Sequence, residues 1–452
     1  VKDKFAASIF CMLALGAWVP MAAAGEYPFV DVSRMGEAGR AERAQVQLQW
    51  VISKTLERSP DVREKRRQSN AARFEVLEAE GAKYPQIDFT AQSRWSQGVS
   101  GSASDSEDLN GRPSYSLNLA LPLFDAGRIE RVIDSKSAAS MAQRARLQGS
   151  MLGAAGDAVL SSIELARVRA QIACADRYLA RIQELVDMLS KITREDRGRL
   201  GELTQARSRV LQAEVNRASL LTRAEQARVL LEKWVGPNEA EVDLVGLAFI
   251  EVPKLDVMLD TLNDHPAVRE SIHAVQAEQN SARAVEAAQA PQVSFVTSHA
   301  PVLPGLSGDY ASYAGVSLSY SVFKGHAGDA ATRAALERAL GARERQDQVM
   351  MDRMTIVRAL HAVAGAQIKR AGDYARLLKE SDAVRRDFFE QWYQLGRRSL
   401  FELLASESEH YSLQVGYLDT LHDAFSALAR LRIESGELAS QIDITGGPLE
   451  GK

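Results

Sequence analysis

Ser59-Pro60-Asp61-Val62-Arg63-Glu64 returns as His265-Pro266-Ala267-Val268-Arg269-Glu270, and Tyr84-Pro85-Gln86-Ile87 returns as Ala290-Pro291-Gln292-Val293. Both proline pairs recur at an offset of 206 residues. Between the two prolines of each copy the chain is rich in Ala, Glu, Gln and Arg, with Gly81 as the only helix breaker, which is a helix composition. Proline fits the first turn of a helix and the position just past its end. Downstream, Leu121-Pro122-Leu123-Phe124-Asp125-Ala126-Gly127 faces Tyr320-Ser321-Val322-Phe323-Lys324-Gly325 at an offset of 199, and Gly198 answers Gly396 at 198. Shared order with small slips indicates one internal duplication; two copies do not make a solenoid array.

Each copy carries two alternating stretches. Ile87, Phe89, Ala91, Ser93 and Trp95 oppose Asp88, Thr90, Gln92 and Arg94, and Tyr115, Leu117, Leu119 and Leu121 oppose Ser114, Ser116, Asn118 and Ala120. In the second copy Val293, Phe295 and Thr297 oppose Gln292, Ser294 and Ser298, and Val316, Leu318, Tyr320 and Val322 oppose Ser317, Ser319 and Ser321. A period of two predicts strands near 86–96, 113–123, 291–300 and 312–323. The segments between them, about 96–112 and 303–310, hold Gly, Ser, Asp, Asn and Pro and read as exposed loops.

Long helical stretches follow, about 128–196 and 327–394, with returns over about 199–235 and 398–440. Leu179, Ile182, Leu185, Val186, Leu189 and Ile192 step by three and four, a coiled-coil-like seam. A helix of about 65 residues is roughly 100 Å long and cannot fold back on a compact core. The fold class is mainly α with a small β part, organised as a segment with a first helix (25–58), a first repeat (59–253), a second repeat (254–445) and a tail (446–452).

Residues 1–24 read as a secretory signal: Lys2 and Lys4 precede an apolar run from Phe5 to Val19 and then Ala22-Ala23-Ala24. Cys11 sits inside the apolar run, so no N-terminal lipid is expected. Without Lys2, Asp3 and Lys4, 53 basic and 58 acidic residues leave a formal charge of −5, which gives no footprint for nucleic acid. Cys174 is then the only cysteine, so an intramolecular disulfide is excluded and a buried or groove-facing thiol is expected. No stretch of about 18 apolar residues follows, so a membrane could be crossed only by strands.

The strands have the length that a tilted membrane strand requires, and Trp95, Tyr115, Phe124, Tyr313 and Phe323 fall near their ends like an interfacial girdle. Four strands cannot close around a lumen, and open strand edges are not tolerated in lipid. Closure therefore needs further copies; three chains would supply a twelve-stranded barrel, with the long helices continuing it as a periplasmic tube.

From about residue 45 to 440 the chain resembles the TolC family of outer-membrane efflux proteins. The resemblance rests on Ser59-Pro60-Asp61-Val62, Tyr84-Pro85-Gln86, Leu121-Pro122-Leu123-Phe124-Asp125-Ala126-Gly127-Arg128 and above all Gln394-Leu395-Gly396-Arg397-Arg398-Ser399-Leu400-Phe401-Glu402-Leu403-Leu404-Ala405-Ser406-Glu407. It implies a homotrimer with a twelve-stranded barrel in outer-membrane lipid, a long periplasmic α-barrel, and docking through a periplasmic adaptor to an inner-membrane ABC transporter or proton-driven pump.

By the same resemblance Tyr393, Arg398 and Glu402 match a gating tyrosine, an arginine and a first pore acid, while Gly198, Leu200, Leu395, Gly396 and Arg397 mark adaptor-contact tips. Ala405 stands where a second acid is common and Thr204 where an Asp is common. An acidic side chain repeated around a constriction favours cations, and an arginine can clamp a carboxylate across neighbouring helices. Glu402 as a solvated helix residue and Arg397 and Arg398 as a solvated turn are the plainer readings.

The seven histidines lack metal-site spacing, no phosphate-cradling loop or nucleophile elbow occurs, and the carboxylates lie beside Arg and Lys at spacings of three and four, as on a solvated salt-bridged surface. The expectation is a conduit that is not an enzyme and holds neither metal nor cofactor. Arg385 to Glu409 looks more like the branch serving type I protein secretion; small-molecule efflux and a soluble periplasmic coiled-coil scaffold are the alternatives.

Overall fold

The computed structural model describes residues 37–93, 113–237, 252–300, 311–393 and 399–437. The expected signal segment (1–24), the expected loops between strands, Trp95 and the C-terminal tail (446–452) lie outside these residues. In chain order the elements are α1 (Glu37–Arg58), α2 (Pro60–Gly81), β1 (Gln86–Ser93), β2 (Pro113–Phe124), α3 (Arg128–Glu195), a 3-10 turn (Arg197–Arg199), α4 (Leu200–Val235), α5 (Leu255–Asp260), a second 3-10 turn (Thr261–Asp264), α6 (Pro266–Ala287), β3 (Gln292–Ala300), β4 (Ala311–Ser319), α7 (Ala327–Tyr393) and α8 (Leu400–Glu434). Helix, two strands, very long helix and return helix thus occur twice in the same order. Two compact units divide the chain: Glu64–Leu147 with Ala267–Met350, and Val1–Arg63 with Gln148–Pro266 and Met351–Lys452.

The first of these units holds all four described strands in one antiparallel sheet of order β1-β2-β3-β4. Its register puts Ile87 and Phe89 opposite Leu119 and Leu117, Leu121 opposite Phe295, and Phe295 opposite Val316. Because paired residues share a face, the apolar sets of both copies fall on one side of the sheet. Ile87, Phe89, Val316 and Leu318 are each more than 60% exposed there. The other face is polar: Ser298 Oγ donates to Asn118 Oδ1 at 2.7 Å, and Asn118 Nδ2 donates to Ser116 Oγ at 3.2 Å.

Two expectations about the strands need correction. β4 ends at Ser319 and does not continue through Tyr320 and Val322. Ser319 pairs with Gln292, and the next partner in the ladder would be Pro291, which has no N–H to donate. Tyr313 pairs with Ser298, so it stands on the polar face and not in an aromatic girdle on the apolar one.

The turn that leads into each of the two long helices is built alike. Ala126 and Gly127 have φ of 55° and 80°, and their counterparts Gly325 and His326 have 59° and 63°. Asp125 caps the first of these turns, its carboxylate accepting from Gly127 N at 3.0 Å and Ile129 N at 2.6 Å. Farther along, Lys136 pairs with Glu75 at 2.8 Å, Arg146 with Glu270 at 2.6 Å, and Ser135 Oγ donates to Ala277 O at 2.9 Å. These contacts tie α3 to α2 and α6.

In the other unit, Val51 of α1 packs with Val159, Ile163 and Leu165 of α3, Leu231 and Val235 of α4, and Phe425 of α8. A second core joins Ile182, Leu185 and Leu189 of α3, Leu203 and Ala206 of α4, Trp392 of α7, and Leu400, Leu403 and Leu404 of α8. The seam read from the sequence thus supplies one side of this core. Among the described residues, no helix is long and apolar enough to cross a membrane.

Candidate functional site

The second core lies beside the turn that reverses the chain between α3 and α4. Asp196 caps the 3-10 turn, with its Oδ1 accepting from Gly198 N at 2.9 Å. A Cβ on Gly198 would meet that same carboxylate oxygen at 3.1 Å, a tight contact. Leu200 opens α4 with its side chain more than half exposed, and Thr204 Oγ1 donates back to Leu200 O at 3.0 Å.

On the α7–α8 side, Trp392 is buried in the core, while Tyr393 is exposed and stacks on Phe389 with ring centroids 5.8 Å apart. Leu395, Gly396, Arg397 and Arg398 lie outside the described residues. Ser399 then caps α8. Its Oγ accepts from Glu402 N at 3.3 Å, and its backbone N donates to Glu402 Oε2 at 3.0 Å, a reciprocal capping box. Glu402 is therefore more than a solvated helix residue. The spacing Ser399-Xaa-Xaa-Glu402 before Leu403 and Leu404 was a readable signal for it. Ala405 is exposed.

Behind the turn, α3 and α8 are joined by a ladder of side chains that steps forward along one helix as it steps back along the other. Arg167 pairs with Asp423 at 3.2 Å, and Gln171 donates to Asp419 at 2.6 Å. The buried Cys174 Sγ donates to Gln414 Oε1 at 2.8 Å, and Tyr178 stacks on Tyr411 at 4.5 Å. Arg181 Nε reaches Glu407 Oε1 at 3.2 Å, and Arg385 of α7 reaches the same oxygen at 3.4 Å. Glu407 is only 4% exposed, so it corrects the reading of every carboxylate as solvated surface.

Burial sets the titration of this ladder. It pushes the Cys174 thiol up to about 11 and the Tyr411 hydroxyl up to about 12. It lowers His410, with the Arg385 charge adding to the effect. Burial alone would raise Asp382, but hydrogen bonds from Arg386 and Arg385 outweigh it and hold the carboxyl below its usual range. Around neutral pH the imidazole is thus neutral, the thiol protonated and Asp382 ionised, a cluster suited to holding helices in register and not to bond-making chemistry. Among the described residues no group of His, Cys, Asp and Glu is arranged to hold a metal ion.

Residues 51–237 match the family described as Outer membrane efflux protein. No curated protein matches the sequence. Solved structures match over most of the chain. The CusC channel is 19% identical with a TM-score of 0.75, covering 86% of this chain and 92% of that one. The outer membrane protein VceC from Vibrio cholerae is 18% identical with a TM-score of 0.75, covering 88% and 98%. The open state of the MtrE outer membrane channel from Neisseria gonorrhoeae is 19% identical with a TM-score of 0.71, covering 86% and 89%. Residues 51–237 thus carry the sequence pattern of the outer membrane efflux proteins, and the chain is similar in fold to these outer-membrane channels.

Proposed function

We propose that this chain is the outer-membrane subunit of a tripartite export system, a homotrimer passing substrate from an inner-membrane transporter, through a periplasmic adaptor, to the exterior. The observation that carries this reading is the four-stranded sheet: its apolar face is exposed, its other face is polar, and its order leaves β1 and β4 as edges. Lipid accepts an apolar face but not an open edge, and three copies joined edge to edge make a closed barrel of twelve strands. The long helices continue it as a periplasmic α-barrel. Tyr393, Arg398 and Glu402 form the gate at its tip, and Gly198, Leu200, Leu395, Gly396 and Arg397 meet the adaptor.

The stretch from Arg385 to Glu409 favours type I protein secretion driven by an ABC transporter. The family description, an efflux protein, favours the second reading, small-molecule efflux by a proton-driven pump. Membrane fractionation and native mass measurement in detergent test the conduit: a trimer in the outer membrane is expected, and a monomer in the soluble periplasm overturns it in favour of the scaffold. Deletion separates the two systems. Loss of a protein from the culture medium supports secretion, whereas drug or metal sensitivity with an unchanged secretome supports efflux.

A further inference from the structure

Asp88 is the only Asp, Glu, Lys or Arg among the described residues of the four strands. It stands on the polar face, in a row that the register carries across the whole sheet: Asp88 opposite Asn118, Asn118 opposite Ser298, and Ser298 opposite Tyr313. The neutral groups around it bond to one another. Ser298 Oγ donates to Asn118 Oδ1 at 2.7 Å and Asn118 Nδ2 donates to Ser116 Oγ at 3.2 Å, so the amide beside Asp88 has its own partners. Asp88 itself is exposed, and no described residue bonds to its carboxylate.

A carboxylate without a partner is stable only where water reaches it. The polar face is therefore wet at this row, while Phe89, the next residue of β1, stands on the exposed apolar face. In a closed barrel the polar face lines the lumen. Because β1 is an edge strand, Asp88 would then lie at the seam where one copy meets the next. Three copies place three carboxylates at one height, and no basic side chain of the described strands offsets them.

We propose that Asp88 sets the charge preference of the barrel lumen, favouring cationic over anionic solutes, as a determinant separate from Glu402. This rests on the reading of the chain as a trimeric conduit. A ring of acidic side chains concentrates cations and repels anions. Barrel diameter grows with strand number, so a twelve-stranded lumen has room for water and its carboxylates act through solution and not by contact. Their reach then follows ionic strength, about 30 Å at 0.01 M and about 3 Å at 1 M.

The test is the reversal potential of the purified full chain in planar bilayers under a potassium chloride gradient, recorded in dilute salt and near 1 M, where screening is strong. Asp88→Asn is nearly isosteric and strands no partner. It is expected to lower the cation-to-anion permeability ratio several-fold in dilute salt and to match the parent at high salt. The same substitution in a Glu402→Gln background should lower the ratio further. Asp88→Glu keeps the charge and should behave as the parent. Thr90→Lys leaves Asp88 in place and sets an opposing charge two residues away on the same face, so it too should lower the ratio. An unchanged ratio in dilute salt for Asp88→Asn and Thr90→Lys, or a loss in Asp88→Glu equal to that in Asp88→Asn, overturns the role of Asp88 while the conduit stands. A wild-type chain that never conducts overturns the conduit reading and this role with it.

Discussion

Glu402 Oε2 accepts from Ser399 N at 3.0 Å while Ser399 Oγ accepts from Glu402 N at 3.3 Å, so the residue proposed as a pore acid also closes the first turn of α8. The two roles separate by substitution. Glu402→Gln keeps the capping box, because glutamine fills that position as well, and the thermal midpoint is expected to stay close to that of the parent. Its effect should appear as lower cation selectivity in bilayer recordings. Ser399→Ala should do the reverse, lowering stability by about 1 kcal/mol with selectivity unchanged. Unchanged selectivity in Glu402→Gln would restrict Glu402 to capping.

The paired left-handed residues make a second prediction. Ala126 at φ 55° and His326 at φ 63° each sit where glycine is the unstrained choice, beside Gly127 at 80° and Gly325 at 59°. Ala126→Gly is expected to stabilise by roughly 0.5 kcal/mol, the relief of strain being partly offset by a more flexible unfolded chain. His326→Gly should gain less, because the ring packs edge-on against Phe323 at 5.9 Å. Gly127→Ala should destabilise by about 1 kcal/mol or more. Thermal midpoints of the three variants give the order.

The strands were legible in the sequence because period two is a local signal, and the register brought together the apolar sets that alternation assigned to each copy separately. The proline pairs were legible for the same reason: Pro60 and Pro266 open α2 and α6. What joins helix ends to the long helices was not. Lys83 pairs with Glu130 at 2.5 Å, and at the matching place in the second copy Gln289 Nε2 donates to Gly328 O at 2.6 Å and Thr332 Oγ1 at 2.7 Å. The position kept its task while the chemistry changed, so residue identity concealed the equivalence. Glu407 was misread because its two arginines lie 226 and 22 residues away in the chain. Its spacing held the signal: Leu403, Glu407, His410 and Gln414 step by four, three and four along one helical face.

Acid should weaken the helical unit through His265. The imidazole is 5% exposed, and burial together with the positive charge of Arg353 lowers its pKa to about 4. Unfolded, the group titrates near 6.5, so between those values the unfolded chain binds more protons than the folded one. Stability is then complete above pH 6.5 and declines as pH falls toward 4. The contribution is at most about 3 kcal/mol. His410 and His422, also lowered by burial, act with the same sign. His265→Gln should therefore flatten, without abolishing, the fall in thermal midpoint between neutral pH and pH 5. An identical fall in the variant would remove His265 from the effect.

The two faces of the sheet should respond oppositely to charge. Val316 and Ser317 are neighbours on β4, but Val316 pairs with Phe295 on the exposed apolar face and Ser317 with Ser294 on the polar face. In the proposed barrel the first meets lipid and the second the lumen. An arginine on a lipid-facing strand near mid-membrane costs about 2–4 kcal/mol, whereas a lumen position tolerates it. Val316→Arg is expected to reduce the amount of folded trimer recovered from the outer membrane, measured by heat-modifiable migration in gels. Ser317→Arg should assemble at parental levels and shift ion selectivity toward anions. Equal assembly of both variants would mean that lipid does not cover the apolar face, and the closed twelve-stranded barrel would fall with it.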